Sequence, residues 1–214
     1  MKLYAKFVAF DLETTGLSSD QDDIIEIGAV KFTVELIDGA FKPKKLSEFQ
    51  TFVRPNMLIP AEATRINHIT DSMVESAPAV GEVLKQFTSF CGLDTILVAH
   101  NAGFDTGFLK NAYLKNPQLL PGNPIVDSLK IARTILPELP NHKLGELAAM
   151  LRKRNQISMN ITSDQMHRAV YDCEMLMEVL VALLRRRIRE KDWEMVNILQ
   201  AVIRHSGEPA YIKG

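Results

Sequence analysis

Two carboxylates stand two positions apart in an apolar run near the start of the chain, residues 6–13. They are Asp11 and Glu13. In a β-strand, side chains two positions apart point to the same face, so both carboxylates can share one cation. Such pairs are also common on solvated strands, but unpaired charges on a strand this apolar would be costly, and hard divalent cations are the usual remedy. The pattern therefore predicts a metal site where this strand ends.

Three polar residues later in the chain are candidates for completing that site. Asp105 follows the short loop after a predicted strand at residues 95–99, where open α/β sheets usually carry functional groups. A helix N-cap is the alternative role for Asp105. His167 and Asp172 are five positions apart, which is about 140° on a continuous helix. We therefore expect His167 in the bend before a helix and Asp172 in its first turns, although each alone also fits a surface residue or a cap.

The elements predicted around these residues form one α/β domain. Strands are predicted at residues 6–13, 24–35, 49–54, 95–99 and 124–126, and helices at 61–67, 79–90, 108–115, 128–133, 143–151, 168–190 and 193–203. A loop around Asp38 is expected to carry Lys42, Lys44 and Lys45. Three antiparallel strands followed by alternating strands and helices indicate a mixed sheet of about five strands with flanking helices. We expect one domain over residues 1–190, with 191–214 a helix and tail that joins this domain or docks a partner.

Composition narrows the class of protein. The 214 residues are 46% hydrophobic and 24% charged, which suits one globular domain. The net charge of −1 provides no general positive field, so any grip on nucleic acid must come from a local patch or from bound metal. Cys91 and Cys173 have no metal-ligand spacing, and no secretory or membrane-spanning pattern occurs. We expect a cytoplasmic protein with no membrane role.

Three short motifs carry the candidate residues. They are Phe10-Asp-Leu-Glu-Thr-Thr-Gly16, His100-Asn-Ala-Gly-Phe-Asp105 and His167-Arg-Ala-Val-Tyr-Asp172. In order and spacing they resemble the motifs of the DEDDh exonucleases, over about residues 5–185. The resemblance is strongest to the bacterial proofreading exonucleases, both the epsilon-type subunit of DNA polymerase III and the exonuclease domain of PolC-type polymerases.

The resemblance implies a ribonuclease H-like fold and a two-metal-ion 3′→5′ exonuclease that releases 5′-mononucleotides from single-stranded or frayed DNA. It implies that Asp11, Glu13 and Asp172 hold one Mg²⁺ or Mn²⁺ ion, and that Asp11 bridges to a second ion supported by Asp105. His167 is expected to deprotonate the attacking water. An unperturbed imidazole, with a pKa of about 6.5, suits that role at cellular pH.

The resemblance also implies contacts to the terminal nucleotide. The expected substrate-binding residues are Thr14, Thr15, Leu17, Ile66, Asn101 and Phe104. Turn chemistry is the alternative role for the two threonines and Asn101, and core packing is the alternative for Leu17 and Phe104. Asn67 departs from the family pattern, which often has histidine there, so the details of terminal-base contact are open.

Two other functions compete with the DNA exonuclease. The first is a 3′→5′ exoribonuclease, because the same five residues serve both substrates and nothing reads the 2′-hydroxyl. The second is a noncatalytic nucleic-acid or polymerase-binding module, which the presence of all five residues disfavours. The expected partners are single-stranded DNA 3′ ends, with RNA as the alternative, and a DNA polymerase or repair protein. Oligomeric state and pathway are open.

Overall fold

Five strands form one mixed sheet in the computed structural model, which describes residues 6–37, 40–115, 122–159 and 168–189. The strands are β1 (Lys6–Thr14), β2 (Ile24–Ile37), β3 (Ala40–Phe52), β4 (Thr95–Ala99) and β5 (Ile125–Asp127). Their order is β3-β2-β1-β4-β5. The first three strands pair antiparallel, and β4 pairs parallel with both β1 and β5. The predicted mixed five-stranded sheet is confirmed.

Seven helices flank the sheet within the described residues. They are α1 (Ala61–Asn67), α2 (Asp71–Val74), α3 (Val80–Cys91), α4 (Ala102–Leu114), α5 (Ser128–Ile135), α6 (Leu144–Lys153) and α7 (Ala169–Arg189). Asp127 caps α5, because its carboxylate accepts a 2.9 Å hydrogen bond from the backbone N–H of Leu129. The sequence did not predict α2, since a single turn is too short to show helical periodicity. The predicted helix at 193–203 and the segment 191–214 lie outside the described residues.

The start of β3 corrects the sequence prediction. This strand begins at Ala40 rather than at residue 49, so Lys42, Lys44 and Lys45 lie in the strand and not in a loop. In the described sheet β3 is an edge strand, and edge strands often carry lysine and proline, here Pro43, which discourage pairing with other chains. Those residues hid its strand character.

The start of α4 is a second correction. The helix begins at Ala102 rather than residue 108, so Asp105 lies in its first turn. Asn101 makes the tight connection from β4 possible, because it adopts a left-handed backbone conformation with φ of 69°. Asparagine tolerates this conformation better than most residues.

The side chains of β1 alternate between two hydrophobic clusters. Val8, Phe10 and Leu12 pack with α3 and α4 on one face, while Phe7 and Ala9 pack with α7 on the other. Asp11 and Glu13 continue the second series, which places them beside α7. The predicted alternation along this strand is confirmed. No helix in the described part of the chain is both long and apolar enough to cross a membrane.

Candidate active site

Three of the predicted carboxylates meet between the end of β1 and the start of α7. One oxygen from each of Asp11, Glu13 and Asp172 lies within 4.8 Å of the corresponding oxygens of the other two. The strand alternation of β1 supplies the first two, and the first turn of α7 supplies Asp172. The structure therefore brings together residues that are about 160 positions apart in the sequence.

The other two predicted members of the site, Asp105 and His167, are not part of this three-residue group. Asp105 is buried in the first turn of α4, and its charge contributes to raising the pKa of Asp11. It therefore lies near that group. His167 falls outside the described residues, directly before Arg168.

Burial and mutual repulsion dominate the electrostatics of the cluster. Burial, followed by the charges of Asp105, Glu13 and Asp172, raises the pKa of Asp11 well above its usual range. Burial and the charges of Asp172 and Glu26 raise the pKa of Glu13 to about 9, and Arg168 offsets only part of this. Without a cation, the cluster therefore retains protons at neutral pH. Divalent cations that replace such protons relieve the repulsion.

The pKa of the Asp105 carboxyl group is also raised. Burial raises its pKa to about 7, although backbone hydrogen bonds from Leu12 and from its own amide act in the opposite direction. The N-cap of α4 is Asn101, so the alternative role of Asp105 as the cap of this helix is wrong. The environment of Asp105 fits a group that a cation would hold in the charged form.

Glu26 is a fifth carboxylate at this site that the sequence prediction missed. It is only 1% exposed, and its Cα lies opposite that of Glu13 in the β1–β2 pairing. Gln50 donates a 2.7 Å hydrogen bond to it, and Arg168 donates one of 3.2 Å. A charged residue inside the apolar run Ile24-Ile-Glu-Ile27 was the available signal, the same kind that revealed Asp11.

The first turn of α7 lies directly on β2. A β-carbon added to Gly28 would lie 2.5 Å from both the carbonyl carbon and the β-carbon of Ala169. The thiol of Cys173 donates to the Gly28 carbonyl oxygen at 3.3 Å. Only glycine permits this approach, which sets the distance from the sheet to Asp172.

A cavity of about 670 Å³ opens beside the carboxylates. Its lining includes Asp11, Glu13 and Asp172 together with five of the six predicted substrate contacts: Thr14, Thr15, Leu17, Ile66 and Phe104. We call this cavity the cleft. Leu17 is 87% exposed and Ile66 is 49% exposed, so the alternative that Leu17 is a core residue is wrong. These apolar side chains are available to a ligand.

The hydroxyl groups of the two threonines are engaged in the turn after β1. Thr14 donates to the Gly16 carbonyl oxygen at 2.6 Å, and Thr15 donates to Asp22 at 3.3 Å. Thr15 also accepts a 2.9 Å hydrogen bond from the backbone N–H of Asp23. The turn is therefore held in one shape at the cleft wall.

Asn67 ties α1 to the same wall. Its buried side-chain amide donates to the Thr14 carbonyl oxygen at 3.3 Å and accepts from the backbone N–H of Ile69 at 3.0 Å. Asn67, which stands where the family often has histidine, thus has a structural role in this chain. The link holds α1, which carries Ile66, against the end of β1.

Asn101, the sixth predicted substrate contact, does not line the cleft. The backbone N–H of Asn101 donates a 3.2 Å hydrogen bond to the carboxylate of Asp127. Asn101 instead lines a neighbouring cavity, together with His100. His100 lines both cavities.

Comparison with known sequences gives matches along most of the chain. The RNase_T exonuclease family model matches residues 8–180. The chain is 40% identical over 203 residues to the PolC-type DNA polymerase III of Oceanobacillus iheyensis, and 39% identical over 181 residues to that of Bacillus subtilis. These alignments cover 94% and 84% of this chain but 13% and 11% of the relatives. The chain thus spans about an eighth of the length of these relatives.

Solved structures of exonucleases share the fold. Exonuclease X, in a complex with 5′ overhanging duplex DNA, matches with a TM-score of 0.57 and 28% identity, over 83% of this chain and 90% of that one. Exonuclease I matches with a TM-score of 0.70 and 19% identity, over 90% of this chain and 43% of that one, a likeness of fold alone. The sheet and its flanking helices are those of the ribonuclease H-like fold, as expected.

Proposed function

This chain belongs to the RNase_T exonuclease family, and we propose that it is a metal-dependent 3′→5′ exonuclease. It removes 5′-mononucleotides from the 3′ ends of single-stranded or frayed DNA. The observation that carries the proposal is the convergence of Asp11, Glu13 and Asp172, whose oxygens lie within 4.8 Å of one another at the cleft.

The residues present fit a site for divalent cations. Carboxylate oxygens are the ligands that Mg²⁺ and Mn²⁺ prefer. Burial and repulsion raise the pKa of both Asp11 and Glu13, and Arg168 opposes this shift only in part for Glu13. Asp11, Glu13, Asp105 and Asp172 would hold two ions, whose charge the four carboxylates balance. When bound, such ions stabilise the charge that develops on the attacking and leaving oxygens during phosphodiester hydrolysis.

The remaining chemistry belongs to the side chains of the protein. A ring nitrogen of His167 accepts the proton of the attacking water, since an imidazole with a pKa of about 6.5 is largely neutral at cellular pH. The exposed side chains of Leu17 and Ile66, with Phe104, contact the terminal base, because apolar and aromatic side chains bind bases without reading their sequence. The turn at Thr14 and Thr15 holds the sugar end of the nucleotide beside the carboxylates.

The relatives favour DNA as the substrate. The curated relatives are named as DNA polymerases, and Exonuclease X is described in complex with DNA. We place this exonuclease domain at residues 1–190, acting in the bacterial cytoplasm beside a DNA polymerase or a repair protein. Residues 191–214 either complete this domain or dock that partner.

The proposal is tested by product analysis with end-labelled substrates. Single-stranded DNA, mismatched duplex and RNA are each labelled at the 5′ or the 3′ end and incubated with Mg²⁺, Mn²⁺ or EDTA. We expect 5′-labelled DNA to shorten in single steps and 3′-labelled DNA to release its label first as a mononucleotide, only with metal. The Asp11→Ala protein, purified in parallel, controls for contaminating nucleases. Shortening from the 5′ end, or the absence of any product, would contradict the proposal, and a large preference for RNA would reassign the substrate.

A further inference from the structure

A second cavity of about 700 Å³ lies beside the cleft. It is lined by the residues that follow β4, by α5 and by the segment before α6. His100 lines both cavities, and Lys143 of the second cavity is followed directly by Leu144, which lines the cleft. A chain-like ligand that leaves the cleft can therefore enter the second cavity.

The two cavities differ in charge. Five carboxylates line the cleft: Asp11, Glu13, Asp22, Glu62 and Asp172. Among the described residues, no aspartate or glutamate lines the second cavity, which carries the cations Arg133 and Lys143. The second cavity is thus suited to binding an anion, whereas the carboxylates that line the cleft would repel one.

Both cations are available to a ligand. Arg133 and Lys143 are exposed, and neither forms an ion pair with a carboxylate in the part of the chain that the structure describes. Lysines of β3 are different, because Lys44 pairs with Glu35 at 3.2 Å and Lys45 pairs with Glu48 at 2.6 Å. The charges of Lys44 and Lys45 in β3 are therefore partly neutralised, whereas those of Arg133 and Lys143 in the second cavity are not.

The wall between the two cavities is held in place by a chain of hydrogen bonds. Nε2 of His100 donates to the carbonyl oxygen of His142 at 2.8 Å, and Nε2 of His142 donates to that of Leu136 at 2.8 Å. Nδ1 of His100 lies 2.8 Å from the hydroxyl oxygen of Ser128. These bonds join the end of β4 to α5 and to the segment that carries Lys143, so the cavity is formed before any ligand arrives.

The geometry points to the second cavity as the binding site for backbone phosphates of the DNA strand on the 5′ side of the cleaved bond. This inference rests on the proposed function, which places the 3′-terminal nucleotide in the cleft. Guanidinium and ammonium groups form strong charge-assisted hydrogen bonds with phosphate oxygens, and such contacts position a strand without reading its sequence. Because the net charge of the chain is −1, the attraction must come from bound metal or from a local patch such as this one.

The test compares Arg133→Ala, Lys143→Ala and the double variant with Lys130→Ala. Lys130 is an exposed cation on the same helix as Arg133 and does not line the cavity. With long single-stranded DNA, we expect the double variant to raise KM roughly tenfold, while Lys130→Ala leaves it unchanged. The increase should shrink as the strand is shortened to a dinucleotide, which is too short to reach the second cavity.

Salt dependence separates a phosphate contact from a change in shape. The slope of the logarithm of affinity against the logarithm of salt concentration should fall by about 0.7 for each phosphate contact that a variant loses. Arg133→Lys should retain most of that slope because it keeps the charge. If wild type is active but both alanine variants match Lys130→Ala in KM and slope, the inference about the cavity is wrong. If wild type hydrolyses no 3′ end with Mg²⁺ or Mn²⁺, the proposed function itself has failed.

Discussion

The guanidinium group of Arg168 lies 3.2 Å from the buried carboxylate of Glu26, and this contact joins the start of α7 to β2. Glu26 also accepts a 3.4 Å hydrogen bond from the backbone N–H of Ala169. The guanidinium carbon lies 5.7 Å from the centre of the Phe52 ring. Arg168 stands four residues before Asp172, so this ion pair anchors the start of the helix that carries Asp172.

Glu26→Gln should therefore lower kcat by about 10- to 100-fold, because small displacements of catalytic groups have effects of this size. We expect KM to change much less, since Glu26 does not line the cleft. Steady-state kinetics on single-stranded DNA measures both constants. The matched control is Glu48→Gln, which removes an exposed carboxylate paired with Lys45. A Glu26→Gln enzyme with the kcat of wild type would show that the ion pair does not position the site.

Gly28→Ala should destabilise the protein by about 1–3 kcal/mol, as overpacking of a tight contact usually does. The reason is the close approach of α7, which leaves 2.5 Å between the added β-carbon and Ala169. Urea unfolding measures the change. Gly103→Ala is the control, because no atom lies within 4 Å of its added β-carbon and the residue is in α4. That variant should gain about 0.5–1 kcal/mol, and equal effects at both positions would contradict the packing argument.

The metal-free protein should lose stability as the pH rises. Burial raises the pKa of Glu13 from 4.5 to about 9 and that of Asp105 from 3.8 to about 7. Between these values the folded state binds more protons than the unfolded state, so the free energy of unfolding falls with increasing pH. Thermal unfolding in EDTA from pH 5 to pH 9 measures this fall. This range lies between the ordinary pKa of the Glu13 carboxyl, 4.5, and its raised pKa in the folded protein, about 9.

Divalent cations should reverse that trend. Mg²⁺ or Mn²⁺ competes with the protons for the same carboxylates, so the gain in Tm on adding metal should be largest at the alkaline end of the series. A gain that is independent of pH, or equal in Asp11→Ala, would argue against binding at this cluster.

Asp11→Ala should abolish hydrolysis and keep the fold. The variant removes a buried carboxylate whose pKa is raised by burial and by four neighbouring acids, so its metal-free Tm should equal or exceed that of wild type. Asp94→Asn is the control, because Asp94 pairs with Lys6 at the other end of β1 and is exposed. Circular dichroism confirms folding and the labelled-DNA assay measures activity. Hydrolysis at the wild-type rate by Asp11→Ala would end the assignment of this site.

His167→Ala should reduce kcat by at least about 10²-fold, in line with general-base contributions. In wild type, the rate should rise with pH as the imidazole loses its proton. The variant should lack that rise. A pH–rate profile with the same shape in both proteins would mean that another group accepts the proton.

The local pattern along the chain was enough to place several parts of the site. Alternation along β1 put Asp11 and Glu13 on one face, because side chains two positions apart on a strand point to the same side of the sheet. The separation of five positions from His167 to Asp172 predicted Asp172 in the first turns of a helix, as found. The order of strands and helices also predicted the mixed sheet, since short connections allow few topologies.

Other features depend on contacts between distant segments. Glu26 and Arg168 are 142 positions apart, and nothing in the periodicity of β2 says which side chain will lie against its buried carboxylate. Likewise, the position of α4 depends on the left-handed backbone conformation of one residue, Asn101. The charge of the second cavity depends on α5, which carries Arg133, lying beside Lys143. Periodicity specifies the face of an element on which a residue lies. The partner of that residue depends on how the helices and strands pack together, and this packing sets the charge and the shape around the carboxylates.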